Sequence, residues 1–98
     1  MPRAIVLHAD DNVATLIDAS AAGEVLHLSG AMRRDIELTE AIPYGHKCVI
    51  APVASGQPIV KYGQVIGRAT TDIAAGGHAH VHNVEALRGR GDLEGASQ

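Results

Sequence analysis

The chain has 98 residues, enough for one small domain, and at this length folding buries only about 60 to 65% of the surface that the unfolded chain exposes. Apolar residues make up 46%, yet Phe and Trp are missing and Tyr44 and Tyr62 are the only aromatics, so Ile, Val, Leu and Ala must build the core. Eight Lys and Arg against eleven Asp and Glu give a formal charge of −3, which lacks the basic excess and stacking aromatics of a nucleic-acid binder, and so light a core anticipates an oligomer or a partner chain.

Ile5-Val6-Leu7-His8 reads as a first strand that ends at Asp10-Asp11. Either aspartate can cap a helix by accepting backbone N–H groups. Val13, Leu16 and Ile17 follow with Ala14 and Ala21 at helical spacing, so one short helix is expected over about residues 12–20. Beyond it a pattern recurs: DASAAGEV (18–25), AIPYGHKCV (41–49), PVASGQPI (52–59) and DIAAGGHA (72–79). Each places a glycine, Gly23, Gly45, Gly56 or Gly76, at the end of a tight turn that leads into an extended segment. Glycine belongs there because the turn calls for a positive φ, which costs other residues roughly 1 kcal/mol or more. With Pro43, Pro52 and Pro58 breaking any helix between residues 40 and 80, the repeating unit is turn plus strand and the expected domain is mostly β. A parallel α/β sheet is disfavoured, since nothing after residue 30 offers the helical crossovers it needs. Residues 84–98, rich in glycine and alternating charge, read as a flexible tail with room for a short helix at 84–88, which leaves 1–83 as the domain.

The opening residues lack the apolar stretch and cleavage site of a signal peptide, and no run approaches the ~18 apolar residues of a spanning helix. The single Cys48 reads as a small packed hydrophobe in a reducing compartment. The expectation is a cytoplasmic chain with neither membrane nor nucleic acid as partner.

The residues richest in chemistry are His78, His80 and His82, three imidazoles within five positions. Strand alternation would put all three on one face, but a straight strand spreads the first and last by ~13 Å, too far for one metal ion. Two neighbours can share an ion; the third needs a bend or another task. Imidazole serves as neutral ligand, base or acid near neutral pH, and the spacing alone leaves these roles open beside a plain solvated face. Asn83 either orients an imidazole, binds a hydroxyl or makes a turn. His46 follows Gly45 much as His78 follows Gly76-Gly77, so the two can sit at matching corners and share a pocket. Lys47 and Lys61 are point cations suited to a carboxylate, or solvent-facing strand ends. Neither a serine–histidine–carboxylate spacing, a phosphate loop nor a CxxC pair is present.

Asp11-Asn12-Val13-Ala14, Gly45-His46-Lys47, Ile59-Val60-Lys61-Tyr62-Gly63 with Ile66-Gly67, Asp72-Ile73-Ala74-Ala75-Gly76 and His78-Ala79-His80-Val81-His82-Asn83 follow in an order and spacing that resembles the SAF domain of the altronate and galactarate dehydratase family, over about residues 4–83. The resemblance implies a β-clip fold, here opening with the short helix. It also implies a hydro-lyase of sugar-acid catabolism that uses a divalent metal, typically iron or manganese. A related branch, sulfolactate sulfo-lyase, eliminates sulfite instead of water. Some members carry this domain as a separate small subunit, so the chain is expected to be inactive without a large catalytic subunit and to face it with its histidine-rich end. By that resemblance His46, His78, His80 and His82 are the catalytic candidates, with His78 and His80 as metal ligands, and Lys47, Lys61 and Asn83 bind the hydroxy acid. Gly77 and Ala79 depart from the family's frequent charged residue and valine. Two alternatives stand beside this reading: a non-catalytic carbohydrate-binding or assembly module, and a metal-binding regulator of a partner.

Overall fold

Short β-branched runs alternate with turn glycines, and the residues described in this computed structural model, 1–86, form nine strands and no helix. In chain order they are β1 (Arg3–Val6), β2 (Val13–Leu16), β3 (Val25–Gly30), β4 (Arg34–Glu37), β5 (Lys47–Val49), β6 (Pro58–Lys61), β7 (Gln64–Ala69), β8 (His78–Ala79) and β9 (Val84–Ala86). Six of them form one sheet in the order β4-β3-β1-β2-β5-β8, and β6-β7-β9 form a second. Every pairing between these strands is antiparallel except that of β1 with β3. The mostly β expectation therefore stands, while its N-terminal helix does not.

The expected helix over 12–20 is replaced by β2, which pairs Ala4 with Leu16 on one side and Val13 with Val49 on the other. Two apolar clusters explain the misreading. Ala14 and Leu16 point into a core with Ala4, Val6, Leu26, Leu28 and Cys48, whereas Val13 points into a second core with Val49, Val53, Ile59 and Ala79. A strand buried on both faces shows no polar alternation, so its apolar residues also satisfy a helical spacing. Asp11 does accept backbone N–H groups, but chiefly those of a remote hairpin. The buried Asp11 carboxylate accepts from Tyr62 N (2.9 Å), Gly63 N (2.8 Å) and His8 N (3.1 Å). Asn12 accepts from Val60 N (2.8 Å) and donates to the Pro58 carbonyl (2.9 Å), stitching β2 to β6. The clamped turn, Tyr62-Gly63, has φ of 58° and 70°, the left-handed pair that a two-residue hairpin requires.

The four glycine corners behave as expected. In each, the carbonyl of Ala21, Pro43, Ala54 or Ala74 accepts from the N–H three residues on, and the glycine between has φ of 83° to 91°, the geometry of a type II turn. Gly76 is the most constrained, because a Cβ there would collide with the Glu37 carbonyl oxygen. At the far end, the helix expected at 84–88 is corrected: Val84, Glu85 and Ala86 are extended and pair with Ala69, Arg68 and Gly67 of β7. The remainder of the segment read as a tail, residues 87–98, lies outside the described residues. Among the described residues no helix is long and apolar enough to cross a membrane.

Candidate functional site

Two of the glycine corners deliver the histidines. The turn at Pro43–His46 ends one residue before β5, and the turn at Ala74–Gly77 ends one residue before His78 opens β8. β5 and β8 pair Lys47 with Ala79 and Cys48 with His78. Continuing that antiparallel register by one residue sets His46 opposite His80, so His46, His78 and His80 share one face. The rings meet accordingly. His46 stacks on His80 with centroids 4.4 Å apart and planes 24° from parallel. His46 Nδ1 lies 2.9 Å from His78 Nε2, a hydrogen bond in which one ring donates its N–H and the other accepts. His78 and His80 stack at 5.2 Å.

The register alone brings these three together, and the chain bends only beyond His80. β8 stops after Ala79, and Asn83 N and Val84 N both donate to the His80 carbonyl. Asn83 is buried, with its amide oxygen accepting from His80 N (2.9 Å) and its amide nitrogen donating to the His78 carbonyl (2.8 Å). Both ends of that side chain are thus spent on holding the turn. Glu40 anchors the other end of β8 by accepting from His78 N (3.0 Å). One nitrogen from each of His46, His78 and His80 lies within 4.8 Å of the other two. Ligands bound at about 2.1 Å to a common ion stand up to about 4.2 Å apart, so a slight turn of the rings fits the three to one ion, and imidazole suits iron or zinc. Burial, and then the neighbouring His46, His80 and His82, lower the His78 pKa against the opposing pull of Glu40, which favours the neutral ring that a metal or a proton requires.

Beside the cluster lies a hollow of about 220 Å³ where the two sheets meet. Ile59, Ile66, Ala79 and Val84 wall it, and Lys47 and His80 are its polar members. Lys47 is half-buried, and its pKa is lowered by that burial and by the nearby charge of Lys61.

Comparison with known proteins shows the family. Residues 2–87 match the family described as the altronate/galactarate dehydratase SAF domain. The chain belongs to that family. This SAF domain is 39% identical over 85 residues to the altronate dehydratase of Bacillus subtilis, covering 87% of the chain and 16% of the relative. It is 38% identical over 79 residues to that of Escherichia coli, covering 81% of the chain and 15% of the relative. The chain therefore spans about a sixth of the length of these dehydratases. It is also 37% identical over 89 residues to the (2R)-sulfolactate sulfo-lyase subunit alpha of Chromohalobacter salexigens, covering 86% of the chain and 94% of that subunit.

Of the residues singled out in the SAF domain's sequence, His46, His78 and His80 come together, and His82 stands at the edge with its ring 5.6 Å from that of His78. Lys47 lines the adjoining hollow, Lys61 lies near it on β6, and Asn83 is committed to the turn. His8 and His27 belong elsewhere: the His8 ring packs over Gly63, and His27 Nδ1 lies 2.7 Å from Asp35. Glu40 went unnoticed in the sequence, where a single acid between Thr39 and Ala41 carries no signal of its contact with a histidine 38 positions away.

Proposed function

We propose that this SAF domain is the small, histidine-bearing component of a hydroxy-acid lyase and completes an active site whose bulk lies on a larger catalytic chain. The observation that carries the reading is the convergence of His46, His78 and His80, with one nitrogen of each within 4.8 Å of the others. These three would hold a divalent ion, iron or manganese, which when bound would supply Lewis-acid polarisation of the substrate carboxylate and hydroxyl. His82, beside the trio, takes the proton from the carbon next to the carboxylate. The C–H electron pair becomes the new double bond, the bond to the β-oxygen breaks, and the departing hydroxide leaves as water after protonation. The enol then tautomerises to a 2-keto-3-deoxy acid. Asn83 is a positioning residue that holds the backbone of His78 and His80.

A second reading has its own support: the near-complete coverage of a sulfo-lyase alpha subunit of matching length. In that case the bond that breaks joins carbon to sulfur, and sulfite leaves. One reconstitution decides both. The chain is combined with the large lyase chain of its own host, loaded with iron or manganese, and assayed for 2-keto acid and for sulfite. The native pair is expected to turn over, and the His46→Ala, His78→Ala and His80→Ala variants are expected to lose activity at least 100-fold together with bound metal. Full activity in a variant lacking all three rings would overturn the assignment.

A further inference from the structure

The hollow beside the histidines is poorly suited to a polyhydroxylated acid. Its walls are aliphatic, and hydroxyl groups placed against Ile59, Ile66 and Val84 would give up hydrogen bonds to water without replacement. Its two charged neighbours, Lys47 and Lys61, have no carboxylate in ion-pair contact among the described residues. Around it the chain exposes apolar side chains that a free surface gains nothing by showing. Val81, which lines the hollow, is 83% exposed, and Tyr44, in the turn that carries His46, is 70% exposed. An apolar cavity, lysines without an ion-pair partner among the described residues and exposed apolar groups thus accompany one incomplete cluster of ligands.

We propose that this hollow is the docking pocket for the larger lyase chain, and that it receives an aliphatic side chain of that chain whose neighbouring carboxylate settles on Lys47 and Lys61. The occupant follows from complementarity: the aliphatic walls select an apolar group, and Lys47 in the wall, with no carboxylate in ion-pair contact among the described residues, selects an anionic neighbour. Because His80 belongs to both the hollow and the histidine cluster, filling the one brings the partner's groups up to the other. The inference rests on the proposed two-chain lyase and specifies where its chains meet.

The test is the affinity between the native chain and the large chain of the same host, the latter chosen as the protein that resembles altronate dehydratases outside the segment matched here. Val81→Asp, Lys61→Glu and Ala86→Trp, the last filling the hollow from an exposed position, are each expected to weaken the complex at least tenfold. Thermal stability and cobalt binding of the free variants should stay native, which separates lost docking from lost folding. Asp35→Lys, on β4 at the other end of the six-stranded order, should bind within twofold of native. Native affinity in both Val81→Asp and Ala86→Trp would overturn the proposal, as would an isolated chain that self-associates through this surface and is made monomeric by Ala86→Trp. A native complex that forms but is inactive would reject the lyase reading and leave the docking site standing; failure of the native chains to associate would reject both.

Discussion

Cys48 shows how far a single side chain is determined by its surroundings. It is fully buried on β5, between Ala14 of β2 and His78 of β8 in the sheet, and burial pushes its thiol up to about 12. A thiol that keeps its proton in the folded state, while the unfolded chain loses it near 9, gives stability that is complete below about pH 9 and falls as pH rises towards 12. The expected loss is about 1.4 kcal/mol per pH unit across that window, absent from Cys48→Ala, and urea unfolding of both proteins between pH 8 and about 10.5 measures it. Identical pH slopes would show that the thiol is not shielded. The sequence reading of Cys48 as a packed hydrophobe was thus sound, because a lone cysteine with no partner for a disulfide or a CxxC site most often packs as a small hydrophobe. Asp11 was legible only in part. Its capacity to accept N–H groups was plain, but its partners, the N–H groups of Tyr62 and Gly63, lie some fifty positions away and local spacing cannot name them; the matching role of Asn12 towards Val60 carried no signal.

The same contrast holds for whole elements. The glycine corners were readable because a type II turn places one stereochemical demand on one residue, and Gly23, Gly45, Gly56 and Gly76 meet it. β2 was not, since burial on two faces erases the alternation that separates strand from helix. The histidine segment falls between the two. Period-two alternation put His78, His80 and His82 on one face; His46 joins the first two through the β5–β8 register, which local spacing cannot name, and His82 is set aside by a bend held by Asn83, whose turn-forming role was only one of three open readings. Asn83→Ala removes both side-chain hydrogen bonds and leaves the His80 N–H and the His78 carbonyl without their partner. The expected cost is about 1 to 3 kcal/mol in urea unfolding. The more telling readout is cobalt affinity, which should fall at least tenfold although no ligand has been touched. Asn83→Asp keeps the acceptor for His80 N and should recover part of both losses. Unchanged cobalt binding in Asn83→Ala would mean that the bend does not position the rings.

At the scale of the molecule, the two apolar cores are not independent. β2 sends Ala14 and Leu16 into one and Val13 into the other, and β5 does the same with Cys48 and Val49, so the two central strands are shared walls. The histidine cluster and the hollow sit at the end of this shared wall, on β5 and its neighbour β8, which means that loss of either core dismantles the site. Leu16, fully buried in the first core, tests the coupling. Its replacement by Ala should cost about 2 to 5 kcal/mol through lost burial and a residual cavity, a large part of the roughly 5 to 15 kcal/mol that holds a small domain together. If the cores fold as one unit, reporters in each must shift together. Reaction of the Cys48 thiol reports the first core, and Tyr62 fluorescence, isolated in a Tyr44→Phe background, reports the β6–β7 hairpin that packs over the second. Both probes should give one coincident urea transition in the native chain and the same displacement to lower urea in Leu16→Ala. Two separated transitions, with Tyr62 unmoved while Cys48 becomes reactive, would show instead that the hairpin folds alone and that the hollow can outlive the sheet beside it.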